Sequence, residues 1–290
     1  MSLVTLLIPR EKWLALLQVA RLDRPIGSLL LLWPTLCALW MAAGALPSLH
    51  LIFVFTMGTL LTRSAGCIAN DLADRNFDGH VKRTAQRPLA TGRLRPIEAL
   101  GFMVFLLTIA LVLVLTTNLS TLLWAIGAVL VAGVYPLLKR VTHLPQVGLG
   151  IAFSFGIPMA YAAQDAPMGI EAGLLFLANL SWVIAYDTCY AMVDRDDDLN
   201  VGIRSTAILF GDLDRVIVAA LQALTVVLLY LMGERLEFTW HYQLALGIIG
   251  LLFIYQQGLI WNRQRDRCFS AFLNNQWVGA VLFLSVLTQF

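Results

Sequence analysis

Long apolar runs separated by short polar segments fill most of the chain. A membrane-spanning helix needs about 20 mostly apolar residues, and nine runs approach that length. Their predicted bounds are 25–46, 49–69, 98–117, 119–138, 146–163, 170–193, 214–233, 240–260 and 270–289. The fifth run contains glycines and Pro158, which a spanning helix tolerates where neighbouring helices satisfy the freed backbone. The pattern therefore predicts an all-α, polytopic membrane protein with nine transmembrane helices.

Lysine and arginine residues are concentrated in alternate loops. They lie after the second, fourth, sixth and eighth runs, whereas the other loops hold only Arg235. The segment before the first run is also basic, and it carries Arg10, Glu11 and Lys12, so we expect no cleavable signal peptide. Because cytoplasmic loops carry the excess of Lys and Arg, the pattern predicts a cytoplasmic N-terminus and a C-terminus on the opposite side.

Composition supports the assignment to the membrane. Hydrophobic residues make up 59% of the chain and charged residues only 13%, against about 25% charged residues in soluble domains. The net charge of +2 gives no indication of a nucleic-acid partner. The four cysteines form no CxxC pair, so neither a zinc site nor a disulfide framework is expected.

A weak internal repeat of the sequence pattern is present in the chain. Asp74 and Asp194 each lie at the cytoplasmic end of an even-numbered run, and a basic segment that contains threonine follows both. The repeat predicts two four-helix units, 20–145 and 146–262, and a ninth helix at 270–289, within a single domain 1–290. A parallel repeat would place the ends of its corresponding helices side by side.

Two acidic clusters stand at the ends of the second and sixth runs. They are the segments 70–78, NDLADRNFD, and 187–198, DTCYAMVDRDDD. Carboxylates are costly beside lipid, and at membrane depth they normally mark function. Helical spacing places Asn70, Asp74 and Asp78 on one face with Asp71 at its border, and it places a second set on another face: Asp187, Asp194 and Asp198.

These two faces offer ligands for Mg²⁺, which in proteins usually takes one or two carboxylates together with water and substrate phosphates. Lys82, Arg83 and Arg87 follow the first cluster and Arg204 follows the second, and guanidinium groups contact phosphates bidentately. The sequence thus predicts a Mg²⁺ site for a diphosphate. Its expected ligands are Asn70, Asp71, Asp74, Asp78, Asp194 and Asp198. Asp196 and Asp197 point off the second face, and we do not expect them to contact the metal.

Other basic residues allow two interpretations. Arg24, at the start of the first run, either reaches the interface or contacts a phosphate or carboxylate. Arg63 lies inside the second run, two turns before Asn70, and an intramembrane arginine needs a partner, so we place it in the pocket. Lys139 and Arg140 end the fourth run as ordinary anchors of the cytoplasmic side or as cations of the site.

At these motifs the chain resembles the UbiA family of intramembrane aromatic prenyltransferases. The NDxxDxxxD motif of that family is matched at 70–78 and its DxxxD motif at 194–198. Further stretches resemble the branch of the family that uses 4-hydroxybenzoate: LDRPIGSLLLLWPTLCALW from Leu22, YPLLKRVTHLPQ from Tyr135, YDTCYAMVDRDDD from Tyr186, GIRSTAILFG from Gly202 and FLNNQWVG from Phe272. The resemblance covers nearly the whole chain.

The resemblance implies a nine-helix bundle whose central cavity opens toward the cytoplasm and laterally to lipid. It implies Mg²⁺, a polyprenyl diphosphate donor and a 4-hydroxybenzoate acceptor that is prenylated ortho to its hydroxyl, in ubiquinone biosynthesis. It implies a protein of the bacterial inner membrane with its active site facing the cytoplasm. We expect no nucleic-acid partner and no obligatory protein partner.

The expected reaction is ionisation of the donor followed by substitution on the aromatic ring. Lys82, Arg83 and Arg204, with Lys139 as a further candidate, are expected to hold the substrate, because the charge that develops on the diphosphate needs stabilisation. A carboxylate or the released diphosphate takes the final proton, and the candidates are Asp187 and Asp71. The cation for the acceptor carboxylate is Arg24, Arg63 or Arg140, with no ranking among them.

Three alternatives stay open. The same family includes enzymes that use a naphthoate, a homogentisate, haem or a glycerol phosphate as acceptor. A CDP-alcohol phosphotransferase is also a membrane enzyme that uses Mg²⁺, but its usual Asp-Gly and Ala-Arg pattern is absent. A cation-coupled transporter would carry its charged sites near the midplane of the membrane, whereas here the carboxylates cluster at helix ends.

Overall fold

The computed structural model describes residues 9–290. Residues 1–8 lie outside that range. The predicted domain 1–290 and the expectation of no signal peptide therefore extend beyond the described residues.

The described part of the chain is built from α-helices joined by short turns. In chain order the helices are α1 (Arg10–Val19), α2 (Ile26–Ala43), α3 (Leu49–Asp74), α4 (Pro96–Val114), α5 (Leu119–Val141), α6 (Pro145–Ser154), α7 (Gly156–Ala163), α8 (Ile170–Val201), α9 (Thr206–Phe210), α10 (Asp214–Arg235), α11 (Trp240–Ile260) and α12 (Arg265–Leu287). Two 3₁₀ turns are also present, Asp78–His80 and Gly211–Leu213.

Within residues 9–290, nine helical segments are long and apolar enough to cross a membrane. They are α2, α3, α4, α5, α6 with α7, α8, α9 with α10, α11 and α12. The predicted set of nine spans is therefore confirmed. Two bounds differ most from the prediction. The seventh span begins at Thr206 and not at 214. Helix α8 continues past the predicted end at 193 to Val201 and stops at Gly202, whose φ of 74° closes the helix in the left-handed region.

The fifth span is broken into α6 and α7 at Phe155. Pro158 explains the break, because it has no N–H to donate to the carbonyl one turn earlier and its ring crowds that carbonyl. Gly156 then lets α7 approach α2 closely, since a Cβ at this position would lie 2.2 Å from Thr35 Oγ1. The sequence predicted that a spanning segment tolerates these residues, and the span is present with a break at this position.

The core lies where α2, α8 and α12 meet. Gly279 on α12 makes that contact feasible, because a Cβ there would lie 2.3 Å from a ring carbon of Trp33 and 2.9 Å from Trp182. Small residues of this kind let membrane helices pack at short distance. The Trp182 indole N–H also donates to Asn275 Oδ1 at 2.8 Å, which links α8 to α12 inside the bundle.

One local prediction is wrong. Helical spacing was expected to carry Asn70, Asp74 and Asp78 on one helix face, but α3 ends at Asp74 and Asp78 begins a 3₁₀ turn. The turn is fixed by Thr84, whose hydroxyl donates to the Asp78 carbonyl at 2.8 Å. Asp78 therefore reaches the site from the α3–α4 loop.

Candidate active site

A single cavity of about 1730 Å³ receives both acidic clusters. Its lining includes every predicted metal ligand: Asn70, Asp71, Asp74, Asp78, Asp194 and Asp198. Asp74 and Asp194, from spans that are far apart in sequence, are both only 7% exposed. The two clusters that the sequence predicted to act together therefore line one cavity.

Apolar helix faces form the rest of the cavity wall. Contributors from α4 and α5 include Leu107, Leu111, Ala125 and Val129. The opposite side carries aromatic rings, where Tyr190 lies 4.6 Å from Phe272 between ring centroids. The site therefore joins a charged end to a long apolar chamber.

Asp71 is the most enclosed carboxylate of the first cluster, with 1% exposure. Arg21, in the turn between α1 and α2, donates to both of its oxygens at 3.0 Å. Arg87, from the α3–α4 loop, lies 3.0 Å from the same carboxylate. Two guanidinium groups thus neutralise Asp71 and join three segments of the chain around it.

Asp78 shares Arg87 with Asp71. The Arg87 guanidinium lies 2.9 Å from an Asp78 carboxylate oxygen. Burial raises the pKa of the Asp78 carboxyl above its ordinary value, and the positive charge of Arg87 opposes that rise. Arg87 thus bridges two carboxylates of one motif.

Lys139, at the end of α5, contacts Asn70 and Asp74 of the first cluster. Its ammonium lies 3.2 Å from Asn70 Oδ1 and 3.2 Å from Asp74 Oδ2. It also lies 5.8 Å from the centre of the Tyr135 ring, one turn earlier on the same helix. The structure therefore places Lys139 inside the site.

The two predicted metal ligands of the second cluster, Asp194 and Asp198, differ in their pairing with cations. Arg83 donates to Asp194 through Nε at 3.0 Å and through Nη2 at 2.5 Å, and it also contacts the Tyr190 hydroxyl. Asp198 is 9% exposed, and no ion pair to it is found among residues 9–290. Asp187, seven residues earlier, is equally buried and lines the same cavity.

Arg63 projects from the middle of α3 into the cavity. Its Nη1 lies 2.6 Å from Cys67 Sγ, and its guanidinium lies over the Phe153 ring at 5.7 Å. In the described structure Arg63 forms no ion pair with a carboxylate, and its Nε is buried without a hydrogen-bond partner. A cation inside the bundle that still has an unpaired N–H donor is suited to an anionic ligand.

The remaining predicted cations occupy more exposed positions. Lys82 and Arg204 line the cavity mouth, and Arg204 donates to the Val141 carbonyl at 2.7 Å. Arg24 also borders the mouth, but 77% of its side chain is exposed and it faces Asp23 at 3.7 Å. Arg140 lies apart from the lining, since its guanidinium donates to the Ala73 carbonyl and covers the Phe77 ring. The cavity therefore gives no support to the predicted role of Arg140.

Sequence reasoning did not assign site roles to Arg21 and Tyr190. Arg21 lies fifty positions before its partner Asp71, and no local pattern marks such a distant contact. Arg87 was expected, with Lys82 and Arg83, to offset the charge of the carboxylates, but its pairing with Asp71 and Asp78 was not predicted. Tyr190 lies one turn before Asp194 on α8, a spacing that places both on one helix face.

The donor set is suited to a hard divalent cation. Among residues 9–290, no three carboxylate, thiol or imidazole groups converge closely enough to hold an ion by themselves. Carboxylate and amide oxygens are the protein donors that Mg²⁺ takes, together with water and substrate phosphates. The carboxylates already attract Lys139, Arg83 and Arg87, which shows that their surroundings favour positive charge.

Comparison with known proteins assigns this chain to one family. The model of the UbiA prenyltransferase family matches residues 31–287. A protein of Tolumonas auensis named 4-hydroxybenzoate octaprenyltransferase is 55% identical over 97% of this chain and 98% of its own length.

Solved structures show the same fold. A UbiA homolog from Aeropyrum pernix K1 superposes with a TM-score of 0.80 at 23% identity, over 91% of this chain and 98% of that one. A UbiA homolog from Archaeoglobus fulgidus, bound to GPP and Mg²⁺, superposes with a TM-score of 0.72 at 17% identity, over 94% and 99%. The chain belongs to the UbiA prenyltransferase family, as its two aspartate motifs predicted.

Proposed function

We propose that this protein transfers a polyprenyl group from polyprenyl diphosphate to the ring carbon of 4-hydroxybenzoate ortho to the hydroxyl, as a step of ubiquinone biosynthesis. Its support is the name of a relative that is 55% identical over nearly the full length of both chains. The observation that carries the mechanism is the cavity in which two carboxylate clusters, a set of cations and a long apolar chamber meet.

The metal is assigned from the donor set. Asn70, Asp74 and Asp78 would hold Mg²⁺ on one side of the cavity, and Asp194 and Asp198 would hold it on the other. When bound, Mg²⁺ supplies Lewis-acid neutralisation of the departing diphosphate. Asp71 is engaged by Arg21 and Arg87 and is almost fully enclosed, so we assign it to positioning those arginines.

The diphosphate end of the donor is assigned to the cations at the mouth. Arg83 and Lys139 stand beside the carboxylates, and Lys82 and Arg204 line the mouth above them. Donors fixed in this way stabilise the charge that develops on the leaving group without reorganising during the reaction. The prenyl tail occupies the apolar chamber between α3, α4 and α5.

Arg63 is the cation we assign to the acceptor carboxylate. It differs from Arg24 and Arg140 because it is enclosed by the bundle and is not neutralised by a carboxylate within the described residues. The Tyr186 hydroxyl, which lines the same cavity, is also buried without a hydrogen-bond partner there. Both groups would be satisfied by a small polar aromatic ligand, because an unpaired buried polar group is costly.

The residues that line the cavity determine how the transfer reaction proceeds. The bond between C1 of the prenyl chain and the diphosphate oxygen breaks, and its electron pair leaves with the diphosphate. The allylic cation is sheltered by aromatic faces, including Tyr190 and Phe272, which attract positive charge. The ortho carbon of the acceptor forms the new carbon–carbon bond and loses its proton to Asp187 or to the released diphosphate.

The membrane location explains why the site lies at helix ends. The donor tail stays in the apolar phase, while the acceptor and the diphosphate come from water. We place the protein in the bacterial inner membrane with the mouth of the cavity on the cytoplasmic side, in agreement with the distribution of Lys and Arg.

The direct test is an assay with purified protein, 4-hydroxybenzoate, a polyprenyl diphosphate and Mg²⁺. We expect a prenylated 4-hydroxybenzoate by mass analysis, and we expect its formation to stop with a chelator and to resume on adding Mg²⁺. Parallel reactions with a naphthoate and with homogentisate measure acceptor preference. Product formed only from another acceptor would overturn the assignment of 4-hydroxybenzoate, and product that forms equally well with chelator would overturn the metal.

A further inference from the structure

The end of α8 is electrostatically unfavourable as an isolated helix. Asp194, Asp196, Asp197 and Asp198 lie within little more than one turn, and no basic residue occupies the last turn. Carboxylates at a helix C-terminus face the negative pole of the helix dipole, and like charges one turn apart repel. Yet α8 stays helical to Val201, so cations from other segments must neutralise this end.

Arg265, the first residue of α12, supplies one of those cations. It contacts Asp197 through Nη1 at 2.8 Å and through Nη2 at 3.2 Å, and it reaches Asp196 at 3.1 Å. The Asp197 side chain is 12% exposed, whereas that of Asp196 is 79% exposed. The contact with Asp197 is therefore the better shielded of the two, and it is bidentate.

Asp197 flanks the side of α8 that faces the cavity, and its partner Arg265 lines the cavity. Asp194 and Asp198 line the cavity, while Asp197 does not. Its neighbours in sequence and its partner Arg265 thus place it between the site and the beginning of α12. A bidentate contact beside the cavity-facing carboxylates fixes the rotation of the helix end, and with it the direction of Asp194 and Asp198.

A second contact holds the same two segments together. Asp214, which is completely buried, lies 2.8 Å from Arg263 in the α11–α12 turn and 3.5 Å from Arg195 on α8. Arg195 directly follows Asp194. The turn that leads into α12 is therefore attached to α8 at two points, one on each side of Asp194 and Asp198.

We propose that Asp197 and Arg265 form a positioning pair, which holds the end of α8 so that Asp194 and Asp198 face the cavity at the separation that Mg²⁺ binding needs. This inference rests on the proposed function, because it takes those two carboxylates as metal ligands. We assign neither member of the pair to contact with the reacting atoms. Their effect on the reaction passes through Asp194 and Asp198.

The test compares Arg265→Gln, Asp197→Asn and the double variant with the wild type. Arg267→Gln is the matched control, because Arg267 lies on the same helix turn, is exposed and forms no hydrogen bond or ion pair with the described residues. Arg265→Lys restores the charge but not the bidentate contact, so it should recover part of the loss.

The first measurement uses metal-free protein, so that it does not depend on activity. Hydrogen–deuterium exchange of peptides that cover residues 190–203 should be faster in both single variants than in the wild type, because local opening of the helix end becomes easier. Arg267→Gln should exchange like the wild type. Unchanged exchange in both single variants would overturn the proposal.

The second measurement is the Mg²⁺ concentration that gives half-maximal transfer. It should rise roughly tenfold in each single variant, at the low end of the effect seen when outer partners of metal ligands are removed, with kcat at saturating Mg²⁺ little changed. The double variant should be no worse than the single ones, since the pair acts as a unit. A merely structural role would lower the amount of folded protein without moving this concentration.

Two further outcomes would overturn the proposal. If Arg265→Gln raises KM for the donor while leaving the Mg²⁺ response unchanged, Arg265 binds the diphosphate directly. If Asp197→Asn alone changes the Mg²⁺ response, Asp197 is itself a ligand. A failure of the proposed function is distinct from both, because the wild type would then form no prenylated product in the same assay.

Discussion

Individual carboxylates of the site differ in what they can still bind. Asp71 is held by two arginines, whereas Asp74 and Asp194 each face one cation, and Asp198 faces none within the described residues. A carboxylate that is doubly paired and enclosed has little capacity left for a metal. The motif residues are therefore not equivalent, although the pattern NDxxDxxxD treats the aspartates alike.

Removing the charge of Asp74 or of Asp194 tests the metal assignment. We expect Asp74→Asn and Asp194→Asn each to lower kcat by about 100-fold or more, the usual cost of losing one group that stabilises developing charge. The assay uses saturating donor and Mg²⁺, with Asp212→Asn as control, because the Asp212 side chain is fully exposed at the surface. Near-normal turnover in both variants would contradict the assignment.

Arg63 carries the prediction for the acceptor. Arg63→Gln should raise KM for 4-hydroxybenzoate by roughly tenfold to a hundredfold, because a hydrogen bond to a charged group contributes about 1.5–3 kcal/mol. Arg140→Gln is the control, since the Arg140 guanidinium contacts the Ala73 carbonyl outside the cavity lining. An acceptor without a carboxylate, 4-methylphenol, should respond little to Arg63→Gln. An equal effect on both acceptors would contradict this role.

At the residue scale, the sequence predicts which residues line the site better than it predicts which side chains pair with each other. The carboxylates and most of the basic residues that line the cavity were singled out from residue type and spacing, because carboxylates at membrane depth are rare. Their pairing was not predicted, since Arg21 with Asp71 and Arg83 with Asp194 join positions that are far apart in the chain. Only the packing of the helices decides which cation meets which carboxylate.

At the scale of elements, the apolar runs were sufficient to find all nine spans in the described residues. Helix α1, which is not one of the nine spans, was missed, and so was α9, which begins the seventh span at Thr206. The spacing rule also failed for Asp78, because it assumes that the helix continues and α3 stops at Asp74. Length and hydropathy thus predict where the chain crosses the bilayer, whereas the loops that complete the site depend on tertiary contacts.

The contact of α12 with α2 and α8 depends on the absence of a side chain at one position. Gly279→Ala should destabilise the protein by about 1–3 kcal/mol, as overpacking of a close contact does, because the new methyl group meets Trp33 and Trp182. Gly247→Ala on α11 is the control, since nothing lies within 4 Å of a Cβ there. Thermal unfolding in one detergent measures both variants. An equal midpoint for the two would contradict the packing argument.

At the scale of the whole molecule, the two ends of the helix bundle differ in charge. The charged mouth is built from the ends of α3, α5 and α8 and from the α3–α4 loop. The opposite ends of the helices carry few basic residues. A protein of this design can receive a water-soluble acceptor at one end while its chamber holds a hydrocarbon chain within the thickness of the bilayer.

The orientation of the whole molecule is the remaining prediction. The positive-inside rule places the mouth in the cytoplasm, so a cysteine at the exposed position of Asp212 should react with a membrane-impermeant thiol reagent only in inside-out vesicles. A cysteine in place of Met168, which is 51% exposed in the turn between α7 and α8, should react only in right-side-out vesicles. The native cysteines are all buried, so the background labelling should be low. The opposite pattern would mean that the acceptor must reach the mouth from outside the cell, and the proposed place of the reaction in ubiquinone synthesis would have to be given up.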